Sequence, residues 1–422
     1  MRLARKVKDI TTYIEDVQVV EGFNKDTITV EHRSNNPKRD FLFVNKLQCK
    51  HIPCSPKDMQ NMCKLLAEQV NTSLRGNERV LVIGFAETAT AIGTMVYNEL
   101  EFEKYLLHTT REEVANAKQL VTFEEEHSHA TTQLLLTYTE TGCDYTLNLD
   151  EYSYILFVED EISTGKTILN FIDAFEKENQ RAGRVGFRYG VASICNWQND
   201  EDANKFLERG IDRFCLISGK LKDASAKMEG FELAEDKDFD ETHVQYDLRE
   251  TFKKINYSEI CLNNFPSLFR QHRLGTKDIT KAAEATFKSI MARLSCRKNV
   301  QSIRIVGTEE FMDLPIMVGA MLEDAGYDVI CHATTRSKID IMKDDSCGTA
   351  SGIKCRDMMP SAYEDGRATY IYNADYDNGS DETDITILLS DTENVKQFER
   401  LARVLHFTNV RNENELLAFR LV

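Results

Sequence analysis

The residues best suited to chemistry lie in Tyr154-Ile155-Leu156-Phe157-Val158-Glu159-Asp160-Glu161-Ile162-Ser163-Thr164-Gly165-Lys166-Thr167. An apolar run ends in adjacent acids, passes through a turn of small residues and enters the amphipathic stretch Ile168 to Lys177. This order predicts a buried strand, a tight loop and a helix start. Backbone N–H groups of Ser163, Thr164, Gly165, Lys166 and Thr167 would converge beside the positive end of the helix dipole, an arrangement that holds phosphate. Glu159 and Asp160 would repel that phosphate and suit sugar hydroxyls or a hydrated cation instead. A phosphate beside a diol describes a ribose 5-phosphate. Gly165-Lys166-Thr167 also ends like a nucleoside-triphosphate loop, but the first glycine of that motif would fall on Asp160, whose carboxylate would oppose the phosphates.

The same order resembles the signature of type I phosphoribosyltransferases, which bind phosphoribosyl pyrophosphate. Four apolar residues, two acids and two mostly apolar residues precede a Ser/Thr/Gly-rich loop, and this chain departs from the pattern only at Glu161. The resemblance implies transfer through an oxocarbenium-like sugar while pyrophosphate leaves, with Mg²⁺ held mostly by substrate oxygens and waters and touched by Asp160 and Glu159. A pyrophosphate cradle is expected at Gly84-Phe85-Ala86-Glu87-Thr88-Ala89-Thr90, with Gly84, Ala86 and Thr88 allowing close approach and Glu87 contacting Mg²⁺ or a base. Thr109-Thr110-Arg111 and Phe123-Glu124-Glu125-Glu126-His127-Ser128-His129-Ala130 flank a polar stretch where such enzymes carry a mobile loop. Arg111 would add charge at the pyrophosphate. His127 and His129 would donate to it, handle an acceptor proton, or form a metal pair with a neighbouring glutamate. Lys38, Arg39, Lys46, Lys50 and His51 form a basic N-terminal cluster suited to a hood over the acceptor. Lys50 and Arg336 join the substrate-binding set.

These groups need rigid elements behind them. The chain has 422 residues, enough for two or three domains. Strand and helix patterns alternate from residue 80, which predicts an α/β fold with a mostly parallel sheet. Apolar runs occur at 80–85, 104–108, 133–138, 153–160, 187–195 and 214–217, with helical stretches at 86–100 and 201–209. The first domain is taken as residues 1–222, its hood as about 1–75, and 223–300 as linker and helical connection. A second, Rossmann-like α/β unit is expected at 301–422, with strands at 302–306, 328–331, 369–372 and 385–389 and helices at 311–324 and 394–404. The two units show a faint echo, which chance similarity between two β-α-β units would explain as well as duplication. Gly84 and Glu87 precede Thr109-Thr110-Arg111, and Gly307 and Glu310 precede His332-Ala333-Thr334-Thr335-Arg336. The second unit has no phosphate loop, because Ile385 to Ser390 leads into Asp391-Thr392-Glu393-Asn394.

Composition sets further bounds. The formal net charge is −17, from 52 basic and 69 acidic residues, which disfavours nonspecific binding to nucleic acid or anionic membrane. No apolar run reaches membrane-spanning length and Met1-Arg2-Leu3-Ala4-Arg5-Lys6 lacks a signal-peptide core, so a cytoplasmic protein is expected. Eleven scattered cysteines fit free thiols better than disulfides or zinc sites.

Taken together, the chain resembles the orotate-phosphoribosyltransferase-like proteins associated with bacterial tellurite-resistance gene clusters. The resemblance rests on Asn36-Pro37-Lys38-Arg39 with Phe41-Leu42-Phe43-Val44, on Lys50-His51-Ile52-Pro53, on Thr110-Arg111 with Glu125-Glu126-His127-Ser128-His129-Ala130, and on the 159–167 segment. Members carry a second domain named for Thr-Arg-Ser-Pro, matched here by Thr335-Arg336-Ser337-Lys338 with lysine in the proline position. The resemblance implies a phosphoribosyltransferase making a nucleotide- or nucleoside-like metabolite from small-molecule substrates, as a homodimer. Two other functions fit the same residues: a regulator that senses the sugar phosphate without turnover, and a metal-dependent hydrolase of a ribosylated product.

Overall fold

The computed structural model describes residues 10, 13–33, 39–112, 117–124, 132–138, 147–184, 186–222, 255–261, 279–341, 352–353, 355–374, 383–409 and 415–422. The first part of the chain contributes β1 (Ile14–Val19), β2 (Ile28–His32), β3 (Phe41–Asn45), α1 (Pro56–Ser73), β4 (Arg79–Gly84), α2 (Ala89–Glu99), β5 (Glu103–Thr110), β6 (Ala117–Glu124) and β7 (Thr132–Tyr138). β8 (Tyr154–Ile162), α3 (Lys166–Arg181), β9 (Arg188–Asn196), α4 (Asp200–Glu208) and β10 (Asp212–Leu221) complete it. The second part holds β11 (Ile255–Ile260), α5 (Ile279–Leu294), β12 (Ser302–Thr308), α6 (Asp313–Asp324), β13 (Asp328–Thr334), β14 (Arg356–Pro360), β15 (Ala368–Tyr372), β16 (Ile385–Ser390), α7 (Val395–Asn409) and β17 (Glu415–Leu421).

Local sequence explains the main elements. β4, β8 and β16 are apolar on both faces because helices cover both sides of a parallel sheet. α1 opens with Pro56 after Ser55, whose side chain accepts from the Asp58 N–H. It buries Met59, Met62, Cys63, Leu66 and Val70 at helical spacing. α3 buries Ile168, Phe171, Ile172 and Phe175 in the same way.

The first sheet runs β1-β10-β9-β8-β4-β5-β7-β6, and its five strands from β10 to β5 are parallel. The second runs β11-β17-β16-β12-β13 and is parallel throughout. The chain is thus a mixed α/β protein with a mostly parallel sheet and a second parallel α/β unit, as the alternation of strands and helices predicts. One continuous apolar core runs from β4 and β8 through α1 and α2 into α5, α6 and β12.

Several elements differ from the sequence expectation. Residues 117–124, expected within a polar loop, form β6 and pair antiparallel with β7. The strand at 369–372 belongs to an antiparallel hairpin with β14, outside the second parallel sheet. The second sheet recruits Ile255–Ile260, upstream of residue 301, as an edge strand beside β17. The sequence reading also missed α1, whose apolar residues are interleaved with Lys57, Asp58, Gln60 and Asn61. Among the described residues, nine cysteines are all free, and no helix is long and apolar enough to cross a membrane.

Candidate functional site

The site begins where the first sheet changes direction. β4 leads through α2 to β5 on one side, and β8 leads through α3 to β9 on the other. β4 and β8 are neighbours, and such a switch point leaves a crevice at the carboxyl ends of the strands. Gly84 pairs with Val158, and the Phe85 N–H donates to the Val158 carbonyl at 3.0 Å. The 84–90 turn and the 159–167 segment therefore leave the sheet side by side. Phe85 packs 6.0 Å from Phe157 and 5.8 Å from Phe171, which anchors both from below.

In the acidic segment, β8 continues through Glu161 to Ile162, whose carbonyl accepts from the Trp197 N–H at 2.7 Å. Glu159, Asp160 and Glu161 are half-buried. Glu159 accepts from the Asp160 N–H at 3.3 Å. Glu161, the departure from the signature, pairs with Arg39 at 2.8 Å, and the Arg39 guanidinium lies 4.7 Å from the Phe41 ring centre and 5.1 Å from that of Phe43. That residue thus ties the N-terminal hairpin to the rim of the crevice.

Gly165 adopts φ +77°, and α3 has no side-chain cap. A Cβ there would lie 2.5 Å from two carbons of the buried Phe206 ring and 2.8 Å from Gln198 Nε2. Glycine alone meets both conditions. Gln198 Nε2 donates to the Thr164 carbonyl at 3.1 Å, and the Lys166 N–H donates to Thr164 Oγ1 at 3.3 Å. Ser163, Thr164, Gly165 and Thr167 are half-buried and Lys166 is exposed, so the loop lines a surface crevice. A phosphate would meet amides at an uncapped helix start there.

The 84–90 turn corrects three expectations. Gly84 is fixed by packing, because a Cβ would lie 2.6 Å from His108 Nδ1 and 2.8 Å from the Ala89 carbonyl. The Ala86 N–H, expected to face an anion, donates instead to Thr109 Oγ1 at 2.8 Å, and Gln133 Nε2 donates to the Ala86 carbonyl at 3.4 Å. Glu87, expected to contact Mg²⁺ or a base, is 7% exposed and already engaged by protein groups. It accepts from Thr335 Oγ1 at 2.6 Å, pairs with Arg336 Nε at 3.2 Å and lies 3.6 Å from Lys50 Nζ. Burial raises its carboxyl, but Lys50, Arg336, Thr335 and Arg111 together hold it well below the usual carboxylate range. Lys50 Nζ also donates to Thr88 Oγ1 at the start of α2.

Arg336 therefore does not reach toward a pyrophosphate. It stands among Glu87, Glu112 at 3.5 Å, Glu309 at 3.8 Å and Glu310 at 2.9 Å. Burial lowers its guanidinium, and these carboxylates outweigh that and raise it above its ordinary value. Arg367 also pairs with Glu112, and with Glu309 at 3.2 Å. Glu309 is 1% exposed, and burial pushes its carboxyl up to about 7 despite Arg336 and Arg367. Arg111 is placed beside this cluster by its N–H, which donates to Glu310 Oε1 at 3.2 Å. Lys338, which replaces the motif proline, is flanked by a brace: Tyr372 Oη donates to the Ser337 carbonyl at 2.8 Å and accepts from the Ile339 N–H at 2.7 Å.

His51 is buried, which with Lys50 lowers its imidazole to about 3 and keeps it neutral. Lys38, His127 and His129 lie outside the described residues. Among the described residues no three His, Cys, Asp or Glu are placed to enclose a metal ion. For Mg²⁺, which prefers hard oxygens and keeps waters, the half-buried carboxylates of Glu159 and Asp160 fit an outer-shell role. Sequence reasoning missed Glu112, Glu309, Arg367 and Gln133. It flagged Glu310 only as part of an internal echo, and Thr335 there and in the Thr335-Arg336-Ser337-Lys338 motif match.

Residues 28–220 match the phosphoribosyl transferase family model. Residues 271–405 match the TRSP domain found C-terminal to it. Solved structures similar to this chain include adenine phosphoribosyltransferase from Trypanosoma brucei in complex with AMP, pyrophosphate and ribose-5-phosphate, at 11% identity and TM-score 0.33, covering 52% of this chain and 88% of that one. Adenine phosphoribosyltransferase from Rhodothermus marinus is similar at 14% identity and TM-score 0.31, covering 46% and 95%. Orotate phosphoribosyltransferase from Aeropyrum pernix is similar at 12% identity and TM-score 0.24, covering 38% and 72%. A comparison with curated proteins finds no match. The phosphoribosyl-transferase region thus includes the acid pair, the 163–167 loop and the 84–90 turn, and the TRSP region includes Glu309, Glu310 and Arg336.

Proposed function

We propose that this chain transfers ribose 5-phosphate from phosphoribosyl pyrophosphate to a base-like acceptor and releases pyrophosphate. The observation that carries the reading is the acid pair and glycine-bearing loop at the switch point of a sheet, inside the region matched by the phosphoribosyl transferase model. Amides of Ser163 to Thr167 bind the 5-phosphate. Glu159 and Asp160 bind the ribose hydroxyls, and their charge favours the cationic sugar as the bond to pyrophosphate breaks. Thr88 and the start of α2, with Lys50 bound to Thr88 Oγ1, face the leaving pyrophosphate, and Arg111 stands at the rim. Mg²⁺ carried by the substrate would supply charge neutralisation, with Asp160 and Glu159 at its outer shell. His127 and His129 are assigned to the segment that closes over the site. The product is a nucleotide- or nucleoside-like metabolite made in the cytoplasm, and the link to tellurite-resistance gene clusters rests on motif resemblance.

The test is Asp160→Asn. Calorimetric binding of phosphoribosyl pyrophosphate with Mg²⁺ should weaken by roughly tenfold or more, the effect of losing one charge-assisted hydrogen bond. Wild-type protein should also release pyrophosphate with one member of an acceptor panel. Unchanged binding in the variant would remove Asp160 from the site and the reading with it.

A further inference from the structure

The two units repeat one plan. Leaving out β10 and β11, which come at opposite ends of their units in the chain, the parallel strands read β9-β8-β4-β5 and β17-β16-β12-β13. α1 precedes β4 as α5 precedes β12, α2 joins β4 to β5 as α6 joins β12 to β13, and α3 joins β8 to β9 as α7 joins β16 to β17. Gly84 pairs with His108, and Gly307 pairs with Ala333. Counting on from those partners brings Thr110 and Thr335 to one equivalent position, and Arg111 and Arg336 to the next. Glu87 and Glu310 stand at matching places after the two glycines.

The repeats face each other and exchange a matching threonine–glutamate contact, with an arginine beside it that donates from its side chain in one direction and from its backbone in the other. Thr335 Oγ1 donates to Glu87 Oε1 at 2.6 Å and Arg336 Nε to Glu87 Oε2 at 3.2 Å. In return Thr110 Oγ1 donates to Glu310 Oε2 at 2.8 Å and the Arg111 N–H to Glu310 Oε1 at 3.2 Å. Helices at the join add Thr90 Oγ1 donating to the Glu310 carbonyl at 2.9 Å and Thr94 Oγ1 donating to Asp313 Oδ2 at 2.9 Å. The reciprocal threonine–glutamate pair has the form of a contact across a two-fold interface between subunits, and here it lies within one chain.

The halves differ at their switch points. In the second, Tyr363 enters between the ends of β12 and β16: its hydroxyl donates to Asp391 Oδ1 and lies 2.9 Å from Thr308 Oγ1, which is 3.0 Å from Ser390 Oγ. Thr392 Oγ1 donates to the Ala362 carbonyl at 2.7 Å and fastens that plug. The equivalent place in the first unit carries the acid pair and the glycine loop.

We propose that the C-terminal unit is a built-in counterpart of the first, its own crevice closed by Tyr363, and that Thr335 and Arg336 are positioning residues for the 84–90 turn on the pyrophosphate side. They act through Glu87, which they hold beside Lys50, and Lys50 in turn donates to Thr88 at the start of α2. Such a pair within one chain completes the site without a second copy. This inference rests on the phosphoribosyl reading above.

The experiment measures calorimetric binding of two ligands to the full chain: phosphoribosyl pyrophosphate with Mg²⁺, and ribose 5-phosphate, which lacks the pyrophosphate. Thr335→Val and Arg336→Ala should each weaken the first by roughly tenfold or more, leave the second within about twofold, and Arg336→Lys should recover part of the loss. Unchanged affinity for phosphoribosyl pyrophosphate, or an equal loss for both ligands, would overturn the positioning role. Thr335→Val removes the hydrogen bonds to Glu87 and from the Ser337 N–H and keeps every charge, so it decides the matter if Arg336→Ala fails to fold. A wild-type chain that binds neither ligand would instead overturn the phosphoribosyl reading itself.

Discussion

Gly165→Ala tests how the phosphate loop is held. The residue sits at φ +77°, where an L side chain costs roughly 1–2 kcal/mol through its clash with the backbone. The added methyl would also lie 2.5 Å from Cε2 and Cζ of Phe206 and 2.8 Å from Gln198 Nε2. Phe206 is fully buried and cannot withdraw freely, and overfilling a packed core costs about 1–3 kcal/mol. The two effects together predict a loss of about 2–5 kcal/mol. Trp197, the only tryptophan, donates its backbone N–H to the Ile162 carbonyl at the base of the loop, so its fluorescence through a urea titration reports the change. Ribose 5-phosphate affinity should fall roughly tenfold or more alongside, since at least one amide–phosphate hydrogen bond would be misdirected. A stability change under about 0.5 kcal/mol with unaltered affinity would refute the claim that this glycine shapes the loop.

Two further predictions concern buried carboxylates. Glu87→Gln should destabilise the protein by about 3–5 kcal/mol, because it leaves Lys50 without its buried counter-charge and removes one of the carboxylates around Arg336. The wild-type carboxyl is held below its ordinary value, so its contribution is complete above the unfolded pKa and fades only as acid reaches the lower folded one. The gap in urea midpoint should therefore be flat above about pH 5 and narrow only in strong acid; narrowing near neutrality would refute it. Glu309 behaves oppositely. Burial raises its carboxyl from 4.5 to about 7, so the unfolded chain ionises first and wild type loses up to about 3 kcal/mol between those values as pH rises. Glu309→Gln cannot ionise, so wild type should lose stability relative to the variant from pH 4.5 to 7; a constant difference would show that Glu309 stays charged.

The acid pair and its loop were legible because they are local. An apolar run, two acids and a glycine before an amphipathic helix occupy successive positions, and strand, left-handed turn and helix follow from their own steric and hydrogen-bonding preferences. The 84–90 turn was legible as a turn but not in its contacts. Its glycine answers to His108, and its Ala86 amide is taken by Thr109 on a neighbouring strand. β6 was missed because Ala117-Lys118-Gln119-Leu120-Val121-Thr122-Phe123-Glu124 alternates only weakly, and its pairing with β7 carries a register shift. Ile255–Ile260 was read as connection because six residues do not reveal which distant strand they will join.

The sequence by itself determined the α/β class, the strand–turn–helix that carries the acid pair and the glycine loop, and the existence of a second unit without such a loop, since periodicity and local residue chemistry suffice for these. Only the tertiary structure decided where Glu87 and Arg336 point. Their meeting joins residues 249 apart, and the return contact of Thr110 with Glu310 spans 200. Contacts at that separation depend on which sheets face one another, and buried charges accept a position only where an opposite charge is already fixed. No local pattern carries that information.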